Sequence, residues 1–265
     1  MNADARGLAP DCLTGRRALV SGAGSGIGRA IAIRLTELGA SVVGVGRRVE
    51  PLVETGRLAT TGSASGRFTW RSVDLRDREA ATAAVTALAA AGGIDLLVNN
   101  AGGQFIAPAT EISARGMAAV LDLNLTAVAG LTRAARPGLR RTGGTVVTIS
   151  LSSPERGITG LAHSASARAA FLALTRGLAR EWREDGIRLY GLAPGTVFTD
   201  GVRGEMSAEA LAETLRNTPL RADTGVEEIA EWVAALGAGV GPLPSGTIVQ
   251  LDGGAGIHGV EGLTG

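Results

Sequence analysis

The stretch Ser21-Gly22-Ala23-Gly24-Ser25-Gly26-Ile27-Gly28 follows the apolar run Ala18-Leu19-Val20 and opens a helical pattern over Ala30 to Leu38. Strand, glycine loop and helix in that order leave the chain few options. The glycines permit a tight turn and close backbone approach, while the helix N-terminus offers unpaired N–H groups and a partial positive charge to a pyrophosphate. Glycine is common here, 40 of 265 residues, so a glycine string by itself marks only a turn. Its position between strand and helix is what predicts a dinucleotide cradle built by Gly22, Ser25, Gly26, Ile27 and Gly28.

Strand and helix patterns then alternate. Gly39 is placed to end the first helix, and Ser41 to Gly46 reads as the second strand. Residues 51 to 66 mix helical spacing with Gly, Ser and Thr and carry little information. Phe68 to Val73 predicts strand three, Asp77 an N-cap for an alanine-rich helix to Ala91, and Ile94 to Val98 strand four. A long helical region is expected over Ser113 to Arg141, with Asn124 in it as a satisfied core amide or a helix-bending residue, then strand five over Thr145 to Leu151 and a helix over His163 to Arg183. Ile187 to Ala193 predicts strand six, Glu227 to Leu236 a helix, and Thr247 to Leu251 the last strand, with Asp252-Gly253-Gly254 leading into a flexible tail. The pattern predicts an α/β fold, a doubly wound parallel sheet of about seven strands with its ligand at the carboxyl ends of the strands. Residues 1–265 read as a single domain, with a substrate lid at about 200–224, where the alternation breaks.

Composition narrows the classes. With 26 basic and 25 acidic residues, no surface built on bulk charge for nucleic acid or membrane is expected. All 26 basic residues are Arg. One cysteine excludes an internal disulfide, and with two His it leaves no ligand cluster for a metal. No apolar run approaches the roughly 18 residues of a membrane span, and Met1 to Asp11 has no apolar signal core, so a cytoplasmic protein is expected.

The end of strand two bears on the cofactor. An acid there would take the ribose hydroxyls of NAD, whereas Arg accommodates the 2′-phosphate of NADP. This chain has Gly46-Arg47-Arg48 and no acid before Glu50, which favours NADPH; the competing reading is a solvated loop.

Taken together, these residues resemble the short-chain dehydrogenase/reductase family over nearly the whole chain, in a Rossmann-type sheet. The matching set is Gly22, Gly26 and Gly28, then Asp74 followed by Leu75, Asn99-Asn100-Ala101-Gly102, Asn124, Pro194-Gly195 with Val197 and Thr199, and Asp252-Gly253-Gly254. The resemblance implies that Asp74 holds the adenine, that Asn100, Ala101 and Gly102 brace the sheet and line the cofactor, and that Thr199 bonds the nicotinamide carboxamide. It also implies a homodimer or homotetramer.

The catalytic set departs from the family pattern of a strand-five Ser and a helix Tyr-x-x-x-Lys. Those positions fall on Leu151, Ser164 and Arg168, and the only tyrosine is Tyr190, within strand six. Ser is a poor acid at neutral pH and Arg stays charged, so neither supplies a tuned proton donor; Arg168 can still hold ribose hydroxyls. A narrower resemblance, carried by Asn99 to Phe105 and His163 to Arg168, is to the peroxisomal trans-2-enoyl-CoA reductases and, more loosely, the dienoyl-CoA reductases, which implies NADPH and a small-molecule acyl thioester substrate. Reducing a conjugated C=C asks only for a hydrogen bond to the carbonyl oxygen, from Ser164, from Asn124 through a water, from a ribose hydroxyl or from a backbone N–H. Gln104, Phe105, Leu151 and Ser152 are candidate substrate contacts. His163 is either a proton donor or a packing residue, since it points about 100° away from Ser164 round the helix. Two further readings stay open: a keto or imine reductase that borrows another acid, and a non-redox descendant that keeps the cofactor fold as a scaffold.

Overall fold

The computed structural model describes residues 7–60, 66–199, 209, 212, 216, 218–220, 224–241 and 243–257. The chain alternates β1 (Arg17–Ser21), α1 (Gly26–Glu37), β2 (Ser41–Gly46), α2 (Val49–Ala59), β3 (Arg67–Ser72), α3 (Arg78–Ala90) and β4 (Leu96–Asn99). The second half runs through α4 (Ala114–Leu121), α5 (Ala127–Thr142), β5 (Thr145–Ile149), α6 (Ala162–Glu181), β6 (Arg188–Pro194), α7 (Val226–Ala238) and β7 (Ile248–Leu251). The seven strands form one sheet in the order β3-β2-β1-β4-β5-β6-β7, with every pair parallel. Strand order reverses between β1 and β4, which opens a crevice at the carboxyl ends of the strands.

Alternation along each strand sends side chains to both faces, and both faces are covered. On β1, Val20 packs with Ile31 and Leu35 of α1 and with Ile229 and Val233 of α7. Its neighbour Leu19 faces the other layer, with Val85 of α3 and Leu131 and Leu139 of α5. β4 and β5 are therefore buried along their whole length, as continuous apolar runs in a parallel sheet require.

Local chemistry sets the element ends. Gly39, at φ +94°, closes α1 with its N–H on the Thr36 carbonyl while the Ala40 N–H bonds the Leu35 carbonyl, a left-handed cap that glycine adopts without strain. Asp77 caps α3 by accepting from the Ala80 N–H at 3.0 Å. Much of the stretch 51–66, uninformative as sequence, belongs to α2, which buries Leu52, Thr55 and Ala59.

The expected helical region over Ser113 to Arg141 is divided into α4 and α5 by a π-helical turn at Asp122–Thr126. The wider turn inserts one residue, and it carries Asn124 inward. The expected lid at 200–224 falls largely outside the described residues, as does the tail after Ile257. Among the described residues no helix is long and apolar enough to cross a membrane, and no group of three or more His, Cys, Asp or Glu is placed to hold a metal ion.

Candidate active site

The cradle sits where β1 feeds α1. Ser21 is its hub: the hydroxyl donates to the Val98 carbonyl at 3.2 Å and accepts the Asn100 and Ala101 N–H groups at 2.9 and 3.0 Å. The Asn100 amide returns the brace by donating to the Ser21 and Gly22 carbonyls at 3.0 and 3.3 Å. Two neighbouring strands are thereby locked at their carboxyl ends. Gly22 has φ +69°, and a Cβ there would lie 2.8 Å from the Asn100 amide nitrogen. Gly26 has φ +51°, and its Cβ would lie 3.1 Å from Thr199 Cγ2, which puts Thr199 at the mouth of α1.

These residues fit a pyrophosphate. Ser25 stands at the N-cap and makes no side-chain capping hydrogen bond, and the first turn of α1 contains no acid, so neither offsets the positive end of the helix. Ile27 is half-buried, its side chain packed against the core.

A cleft extends from this loop over the ends of β2, β3 and β4, lined among others by Arg47, Arg48, Asp74, Leu75 and Ala101. Arg47 and Arg48 are exposed at its rim. Asp74 is gripped by Arg76, whose Nε donates to Oδ1 at 3.0 Å and whose Nη2 donates to Oδ2 at 2.5 Å. The Arg76 hydrogen bonds, with a smaller push from Arg47, hold the Asp74 carboxyl down at about 2. The carboxylate expected to meet the adenine is thus ionised and already oriented by a cation.

At the other end of the crevice the replaced catalytic set forms one hydrogen-bonded line. Arg168 donates through Nη1 to the Ile149 and Ser150 carbonyls at 3.4 and 3.1 Å, and through Nε to Ser164 Oγ at 3.4 Å. Ser164 donates to Gln104 Oε1 at 2.7 Å. Because a guanidinium only donates, the line has a direction: Ser164 receives from Arg168 and passes its hydrogen to the Gln104 carbonyl, so the Gln104 NH₂ takes no part in the line. Ser164 is fully buried and Gln104 exposed, so the outermost donor is Gln104. Burial makes the Arg168 guanidinium easier to deprotonate than usual, though it starts so high that it remains a cation. The line passes Gly102, where a Cβ would lie 3.2 Å from Arg168 Nη2.

Asn124 is committed elsewhere. Its amide clamps Gly103, donating to the carbonyl at 2.7 Å and accepting the N–H at 3.2 Å, with a further bond to the Val120 carbonyl at 2.9 Å. It holds the loop that presents Gln104. Ser152 donates to Asp252, whose carboxylate also accepts the Gly254 and Gly256 N–H groups at 3.0 and 2.9 Å. Leu151 is half-buried beside it. The Ser152 N–H bonds the Pro194 carbonyl and the Gly195 N–H bonds the Leu251 carbonyl, so the loops after β5, β6 and β7 are zipped into one wall; Val197 is buried beneath them.

His163 is fully buried, with its ring packed edge-on against Phe105 at 4.3 Å between centroids. This arrangement fits the packing reading of the residue. Tyr190 cannot replace the missing helix tyrosine, because its hydroxyl is turned away to the Leu243 carbonyl at 3.0 Å.

The sequence pattern by itself gives no role to Ser21, Arg76 or Asp252. Ser21 and Asp252 lie inside recognisable motifs, and Arg76 two residues after Asp74, but their roles come from partners 79, 2 and 100 positions away.

The switch point, the glycine cradle and the cleft define a dinucleotide-binding α/β protein of Rossmann type. The chain belongs to the short-chain dehydrogenase/reductase family, and it is an oxidoreductase of that family: residues 22–256 match the family model described as enoyl-(acyl carrier protein) reductase. It is 34% identical over 250 residues to the peroxisomal 2,4-dienoyl-CoA reductase [(3E)-enoyl-CoA-producing] of Pongo abelii, covering 93% of this chain and 85% of that one. A candidate 2,4-dienoyl-CoA reductase [(2E)-enoyl-CoA-producing] of Bacillus subtilis is 33% identical over 242 residues, 89% of this chain and 94% of its own length. Among solved structures, a candidate NAD(P)-dependent gluconate 5-dehydrogenase of Beutenbergia cavernae, with NADP bound at low occupancy, superposes with a TM-score of 0.83. It is 34% identical, over 93% of this chain and 99% of that one.

Proposed function

We propose that the protein reduces a conjugated C=C bond in an α,β-unsaturated thioester, or a related conjugated carbonyl, with NADPH. The observation that carries this reading is the line Arg168, Ser164, Gln104, which offers hydrogen bonds and positive charge where a carbonyl reductase needs an acid. A ketone must gain a proton on oxygen as its carbon is reduced, and the side chains of this line hold no group that titrates near neutrality. An enoyl substrate makes a lighter demand.

NADPH, when bound along the cradle, supplies a hydride to the β carbon. The C=C electron pair then moves toward the carbonyl, and negative charge appears on its oxygen. Gln104 Nε2 donates to that oxygen, and the Arg168 charge acts through Ser164 to polarise the Gln104 amide, so the stabilisation grows as the charge develops. Asn124 holds Gln104 in register through Gly103. The α carbon takes its proton from water, which completes the saturated product. Arg47 and Arg48 are proposed to take the 2′-phosphate that separates NADPH from NADH.

The names of the dienoyl-CoA reductase relatives support this reaction class. The test is NADPH consumption by the protein with a panel of trans-2-enoyl and 2,4-dienoyl thioesters. Turnover of either class, with a Gln104→Ala loss in kcat, is expected; silence across the panel while NADPH binds normally refutes the proposal.

A further inference from the structure

We propose that two loops beside Gln104, 102–108 and 157–161, form an apolar rim that binds the aliphatic chain of the substrate and selects its length. The proposal rests on the enoyl reductase reading above and names the part of the substrate that meets the protein surface.

Three of the exposed large apolar side chains lie on these two loops: Phe105 at 41% exposure, Ile106 at 64% and Ile158 at 38%. They come from loops some fifty residues apart, yet the loops are tied by the Ala107 N–H on the Gly160 carbonyl at 3.1 Å. Phe105 and Ile106 are seated rather than dangling. The Phe105 ring is wedged between α4, where a Cβ on Gly116 would lie 3.1 Å from Cζ, and the His163 ring on α6. Ile106 rests on Gly160, whose φ of +78° and missing Cβ allow an approach that a side chain would close to 2.9 Å. Apolar surface held rigidly open to water is a cost unless something covers it.

The occupant follows from position and charge. Phe105 directly follows Gln104, the outermost donor for the substrate oxygen, so the rim continues the reaction site. No Asp, Glu, Lys or Arg occurs from Ala101 to Thr110 or from Gly157 to Ala167. A phosphate-bearing carrier finds no cation on these loops, whereas an uncharged hydrocarbon chain loses nothing there. The structure thus assigns the chain end of the substrate to the rim and turns the carrier end away from it.

The experiment compares kcat/KM with NADPH for trans-2-enoyl N-acetylcysteamine thioesters from four to twelve carbons, in the wild type and in Ile106→Ser and Ile158→Ser. Both residues are exposed, so these variants keep the fold. The wild type is expected to gain about two- to fourfold per added methylene until the rim is filled, and the variants to lose most of that slope. In parallel, saturated acyl N-acetylcysteamine thioesters of the same lengths are titrated into the NADP-bound protein by calorimetry. If no enoyl thioester turns over but the saturated series binds with a slope that the variants abolish, the rim stands and the enoyl reductase reading falls. Equal slopes in wild type and variants overturn the rim. If slopes are equal while light scattering shows that the variants lose mass, the patch covers a second copy of this chain and the proposal is refuted.

Discussion

Gly28→Ala separates two physical effects of opposite sign. Gly28 is the third residue of α1, and its φ lies outside the left-handed region, so helix propensity alone predicts that Ala stabilises the chain by about 1 kcal/mol. The packing predicts the reverse. A Cβ at Gly28 would lie 2.8 Å from the Gly22 carbonyl carbon and would overlap both the Gly22 oxygen and the Asn100 amide nitrogen. To regain ordinary carbon–carbon contact, helix and loop must part by about 1 Å. That overpacking costs about 1–3 kcal/mol. The Asn100 bonds to Ser21 and Gly22 lie in the path of the displacement, and losing both adds about 1 kcal/mol each, for roughly 3–5 kcal/mol against a propensity gain of about 1. Urea unfolding followed by circular dichroism should therefore show a lower midpoint at unchanged slope, and fluorescence titration a rise of about tenfold or more in the NADPH Kd. Gly46→Ala is the control, since its Cβ would meet only the Leu52 side chain at an ordinary 3.6 Å, and its stability should stay within about 0.5 kcal/mol of wild type. A Gly28→Ala protein as stable as wild type or more so, with normal NADPH affinity, would refute the close-approach argument.

Replacing Arg47 and Arg48 together by Ala should weaken NADPH binding about tenfold or more and leave NADH binding unchanged, as read by fluorescence titration; equal losses for both nucleotides would remove the 2′-phosphate assignment. Gln104→Ala should lower kcat on an enoyl thioester about 100-fold at constant NADPH Kd, and Ser164→Ala less, because Ser164 acts through Gln104; the opposite ranking contradicts the direction of the line. Asp74 is a depressed carboxyl, so the stability it contributes is present above about pH 4 and fades as pH falls toward 2. Arg76→Ala should move its titration up toward the ordinary aspartate range in carbon-detected NMR, and an unchanged midpoint would sink Arg76 as the cause.

The sheet and the cradle are legible in the sequence because each rests on local rules. The apolar runs of β4 and β5 are long enough to mark strands buried on both faces, and Asp77 and Gly39 mark helix ends by chemistry that acts within four residues. α2 is not legible, since Pro51, Thr55 and Gly56 dilute a helical stripe whose buried members are few. The π turn at Asp122–Thr126 is a tertiary effect: the extra residue is held by the Asn124 clamp on Gly103, a contact 21 residues away along the chain. The departure at Leu151, Ser164 and Arg168 is visible as a pattern of residue types, but its consequence is not. That Ser164 passes its hydrogen to Gln104, 60 positions earlier, depends on how two loops meet at the end of β4. Ser152 illustrates the same limit, for the bond its hydroxyl donates to Asp252, 100 positions later, is not visible along the chain.

The central claim is conjugate reduction without a tyrosine acid, and an isotope reports on it directly. The protein is supplied with NADPH carrying transferable deuterium on the nicotinamide and with a trans-2-enoyl thioester, and the product is read by NMR. The account predicts deuterium on the β carbon and a solvent hydrogen on the α carbon, with the carbonyl intact. Deuterium on a carbonyl-derived carbon, or no transfer from a protein saturated with NADPH, would contradict it.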